Sequence, residues 1–111
     1  MTSVTSAWIY LLAAGALEVL MTTVYRYTAG MTKLAPSVAF VLIGLASLYF
    51  LNRALASIPV GTGYAVWTGI GAAGTALVGI AFYNEPSTTI RLVLLTVLVG
   101  SIVGLKLVSS S

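Results

Sequence analysis

The 111 residues are 59% hydrophobic and 6% charged, with a mean hydropathy of +1.09 and a net charge of +3. A water-soluble domain carries about 25% charged residues, so this chain does not cover a water-facing surface and reads as a single-domain membrane protein. With no cysteine and no histidine, disulfides, thiolate and zinc chemistry and the Ser-His and Cys-His nucleophile sets are excluded. No metal, no cofactor and no enzymatic activity are expected, and the scattered charge offers no basic patch for nucleic acid.

A span needs about 20 mostly apolar residues, and four segments qualify, at 7–25, 36–52, 60–83 and 89–108. Helices are the element expected, because four short spans do not close a barrel and an open sheet edge does not survive in lipid. Short loops make neighbouring helices antiparallel. The first run is too long and too uncharged at its start for a cleavable signal peptide. The tail Ser109-Ser110-Ser111 reads as frayed.

The first span reads AAGALEVLM around Glu18. A carboxylate at that depth is costly when ionised, and no Lys, Arg or His lies mid-span in any segment to pair with it. Two states remain: Glu18 is protonated, or it is ionised beside a cation from outside. A site that holds a proton or a cation, but not both, couples their movements by competition. Helical spacing gives Glu18 the neighbours Ala14, Gly15, Met21 and Thr22, with Tyr25 a turn further on. Thr22 offers a hydroxyl and Met21 an adaptable apolar wall. Arg26 closes the span as a headgroup anchor.

The second span carries Ser47, which can bond into the same pocket or back to its own helix. The third places Tyr64 and Trp67 on one face with Thr68 and Gly71. Aromatic faces attract cations, and a Tyr hydroxyl can reach a carboxylate, although both residue types also form interfacial belts. Gly71, Thr75 and Gly79 form a ridge of small residues. Beyond it, Glu85 stands beside Pro86 in a turn and reads as solvated. Trp8, Tyr10, Tyr49 and Tyr83 read as interfacial or packing aromatics. The fourth span holds Gly100 and Gly104 in a GxxxG, which suits close helix approach either between subunits or within one. Arg53 and Lys106 fall on one side of the membrane and Arg26, Lys33 and Arg91 on the other. This near-balance of the orienting charges is compatible with insertion in both directions. Four helices enclose little volume, so an oligomer is expected.

These features together resemble the small multidrug resistance family: a lone Glu in the first helix, KLAPSV opening the second, IPVGTGYAVWTGIGAAGTALVGIAFYNEP across the third and GSIVGLKL at the end. The resemblance implies an all-α, four-span subunit of an antiparallel dual-topology homodimer in the bacterial inner membrane. It implies proton-coupled export of small organic cations, with Glu18 alternately holding proton and substrate. Tyr64, Trp67 and Ser47 match the family's pocket residues, and Gly100 and Gly104 its dimer-forming helix. The third helix looks like the guanidinium-exporter branch. Met21-Thr22-Thr23 departs from that branch, which usually has Trp where Met21 stands. Met cannot orient a carboxylate through an N–H, so the expectation leans toward quaternary ammonium and other hydrophobic cations. The alternatives are guanidinium/proton export, or one subunit of a heteromeric pair.

Overall fold

The computed structural model describes residues 3–108; the expectation for 109–111 lies outside them. Four helices, α1 (Val4–Tyr25), α2 (Leu34–Ala54), α3 (Val60–Phe82) and α4 (Thr89–Val108), are each long and apolar enough to cross a membrane. Three begin or end differently from the sequence-based bounds. α1 starts three residues before the expected 7, because the Ser3 hydroxyl accepts from the Ser6 N–H at 3.1 Å and caps the helix there. α2 runs from 34 to 54 rather than 36 to 52. Pro36 is tolerated in a first turn, and Arg53 folds back to donate to the Tyr49 hydroxyl at 3.0 Å, which keeps the last turn helical. α3 ends one residue early, at Phe82, where Asn84 takes a left-handed φ of 57° and Pro86 follows.

The helices lie in a plate of 41 × 36 × 17 Å, ordered α2, α1, α3, α4; the α4 backbone approaches α3 alone, while the Lys106 ammonium reaches the Trp8 ring of α1, 5.0 Å from its centroid. A helix with side chains is about 10–12 Å across, so the plate is less than two helices thick and one chain encloses no channel. α1 packs against both neighbours and buries Ala7, Trp8, Leu11, Ala14 and Gly15, a stripe at helical period. Leu51, Ala54, Ile58 and Val66 complete this apolar cluster at the end of the plate where α1 and α3 begin. Helix contact in lipid relies on close packing rather than on the hydrophobic effect, and Gly15 shows it: a methyl there would stand 2.6 Å from Ile70 Cγ2. No described residue of α4 is buried.

Candidate functional site: the Glu18 cleft

Glu18 sits fourteen residues into α1, about 21 Å from the start of that helix and about 10 Å from its end at Tyr25. It faces α3 across Gly71, where an added Cβ would stand 3.2 Å from Glu18 Cβ and 3.6 Å from Oε2. Glycine therefore provides the space the carboxylate occupies. Around it opens a cleft of about 410 Å³ lined by Glu18, Thr22, Thr68, Gly71, Ala72, Thr75, Ala76, Glu85 and Arg91. The Thr22 hydroxyl donates to Val19 O at 2.9 Å and meets Thr75 Oγ1 at 2.7 Å, so Thr75 is the donor in that pair. Among the described residues, nothing hydrogen-bonds or ion-pairs the Glu18 carboxylate.

The other sequence-predicted site residues divide. Thr22 lines the cleft, as expected. Met21 does not: its sulfur lies against Gly44 of α2, on the opposite flank of α1. Ser47 does not bond back to its own helix but meets Trp67, one of the residues expected beside it. It is fully buried, donates to Ala14 O at 2.8 Å and accepts from Trp67 Nε1 at 3.0 Å, joining α2 to α1 and α3. Tyr64 is half exposed and packs edge-on against Trp67, with ring centroids 5.6 Å apart. Tyr64, Trp67 and Ser47 are not among the residues that line the cleft of this single subunit. Gly100 lines a groove with Leu77, Leu92, Leu95, Thr96 and Val99, and an added Cβ at Gly100 or Gly104 would meet nothing within 4 Å. The GxxxG is therefore not used for packing within the subunit.

Two residues read as peripheral belong to the site. Glu85 is not simply solvated: Arg26 Nη2 holds Oε2 at 2.6 Å and Arg91 Nη2 holds Oε1 at 3.1 Å. These hydrogen bonds, from Arg26 first and Arg91 second, keep its pKa below the ordinary carboxylate value of 4.5. Arg26 accordingly acts as more than an anchor, and its guanidinium also lies 4.1 Å from the Tyr83 ring centroid. Thr75 was visible in sequence only as a member of the small-residue ridge. Glu85 and Arg91 are six residues apart in sequence, astride Pro86, and nothing local ties them to Glu18.

A thin four-span helical plate with an unpartnered carboxylate in a hydroxyl-lined cleft defines a small multi-pass membrane protein with an acidic site within its spans. The comparisons agree. The model of the family described as Small Multidrug Resistance protein matches residues 6–98. Similar chains include proteins named guanidinium exporter from three bacteria. That of Yersinia pseudotuberculosis is 44% identical over 103 residues, 93% of this chain and 99% of the relative. That of Citrobacter freundii is 46% identical over 101 residues, 91% and 96% of the two. That of Proteus vulgaris is 43% identical over 103 residues, 93% and 99%. The chain belongs to the small multidrug resistance family and is a multi-pass membrane transporter.

Proposed function

We propose that this protein exports guanidinium in exchange for protons across the inner membrane, with Glu18 holding one or the other. The observation that carries this reading is the Glu18 carboxylate, which faces the cleft with no partner among the described residues while both nearby arginines are committed to Glu85. An ionised carboxylate in such a place needs a cation from outside. Guanidinium is planar and rich in N–H donors, and suits a carboxylate fork with further acceptors around it. The Thr22, Thr68 and Thr75 hydroxyls supply such acceptors.

A quaternary ammonium ion has no N–H and favours aromatic faces. Tyr64 and Trp67 are not among the residues that line the cleft of a single subunit, and Met21, which favoured hydrophobic cations in the sequence-based expectation, packs against Gly44 of α2. The names of the three relatives support guanidinium as well. The working unit in this reading is an antiparallel homodimer, whose second copy covers the open side of the cleft. Its support is the unburied α4, with Gly100 and Gly104 free of contacts within the subunit, and the near-balance of Arg53 and Lys106 against Arg26, Lys33 and Arg91.

The test is proton release on binding. Guanidinium added to the purified protein in weakly buffered detergent should release protons from the native chain and none from Glu18→Gln. Proton release that persisted in Glu18→Gln would remove Glu18 from the exchange.

A further inference from the structure

Glu85 and Arg91 line one end of the cleft, and Arg26, which holds Glu85, stands about 12 Å from Glu18 along α1. The bonds of this cluster are of two kinds. Those between Glu85 and Arg91 are local: the two residues are six apart, and Arg91 Nη1 also donates to Pro86 O at 2.8 Å, so Arg91 moves with the loop that carries Glu85. The others cross between the end of α1 and that loop. Arg26 reaches Glu85 over 59 residues of sequence and stacks on Tyr83, and the Tyr27 and Tyr83 hydroxyls meet at 2.6 Å over 56 residues. α4 has no backbone approach to α1 anywhere, so it is coupled to α1 at this end through these side chains. Gly79 shapes the joint, since a side chain there would overlap the Glu85 carboxylate.

We propose that Arg26 and Glu85 form the gate between the Glu18 cleft and the water on this side, opening along the line that separates Arg26 and Tyr27 from Tyr83 and Glu85. Arg91 makes that opening feasible. A carboxylate stripped of its only cation in a partly buried place is costly, but when Arg26 withdraws, Glu85 keeps its bond to Arg91. Arg26 therefore favours the closed state and Arg91 serves the open one. Both are positioning residues that act on access to Glu18, and the inference rests on the transport reading above.

The two arginines make predictions of opposite sign. Because the native chain has no cysteine, Ala72→Cys in the cleft lining reports access without background. In proteoliposomes, its labelling by a membrane-impermeant cationic thiol reagent should accelerate several-fold when Arg26→Gln is added. It should slow when Arg91→Gln is added instead, since Glu85 then has Arg26 alone. Arg26→Lys should return the rate most of the way to the native value, and Glu85→Gln should behave as Arg26→Gln does. A cysteine in place of the buried Ala73 stays unlabelled in every folded variant and exposes any that misfolds; if Arg26→Gln does misfold, Glu85→Gln carries the comparison with Arg91→Gln. Labelling unchanged by loss of the Arg26–Glu85 pair, or moved in the same direction by Arg26→Gln and Arg91→Gln, overturns the gate. That result leaves guanidinium transport by the native chain untouched. Absence of such transport would overturn the exchange reading without altering the labelling rates.

Discussion

Ser47 offers the most direct test of how the three packed helices are held. Its hydroxyl is fully buried, donates to Ala14 O and accepts from Trp67 Nε1. Ser47→Ala removes both bonds and leaves the indole N–H without its partner. Interhelical hydrogen bonds in membrane proteins average about 0.6 kcal/mol, whereas orphaning a buried donor costs about 1–3 kcal/mol. The second effect dominates here, so the expected loss is about 2 kcal/mol, or roughly thirtyfold in the unfolding equilibrium. Reversible unfolding of the purified protein by SDS titration in mixed micelles reads this directly. A double-mutant cycle isolates the bond: in Trp67→Phe, which keeps a ring but has no N–H, Ser47→Ala should cost about 1 kcal/mol less than in the native chain. An equal cost in both backgrounds would refute the Ser47–Trp67 bond and leave Ser47 bonded to Ala14 O alone.

Glu85→Gln should destabilise the protein by an amount that is constant above about pH 4.5 and shrinks as the pH falls further. The folded-state pKa of Glu85 lies below its ordinary value, so its ionic contribution is complete above the unfolded pKa and is lost as pH falls through the folded one; SDS unfolding across pH 3.5–7 reads this as an order-of-magnitude window. Ala29 holds a left-handed φ of 50° on the exposed first loop. Ala29→Gly relieves about 1 kcal/mol of αL cost against about 0.5 kcal/mol of added unfolded-chain entropy, a small net gain that the same titration resolves. A Cβ added at Gly100 meets nothing within 4 Å in its own subunit, so Gly100→Leu should leave helix content by circular dichroism unchanged while abolishing dimer formation in crosslinking; intact dimers would argue against α4 as the contact.

The four spans were legible because about 20 apolar residues without a breaker have one reading in lipid. Glu18 was legible because a lone carboxylate in such a run has no bland explanation. Met21 does not line the cleft with Thr22 because i+3 and i+4 neighbours lie on opposite flanks of a reference residue: Thr22 turns with Glu18 toward α3, and Met21 turns toward Gly44 of α2. Spacing along one helix says which residues are near, but which flank faces which helix is set by packing. Glu85 was misread for a related reason. Its partner Arg26 is 59 residues away, and only the return of α3 alongside α1 brings the two loop ends together. The left-handed Ala29 left no trace in sequence, since alanine gives no sign of a positive φ.

Transport current in proteoliposomes decides whether Glu18 exchanges guanidinium for protons. With native protein, a guanidinium pulse should give a current that a tetra-alkylammonium ion does not, and Glu18→Gln should give none with either cation. A guanidinium current that survived in Glu18→Gln, or a native current evoked by the alkylated ion alone, would contradict the account.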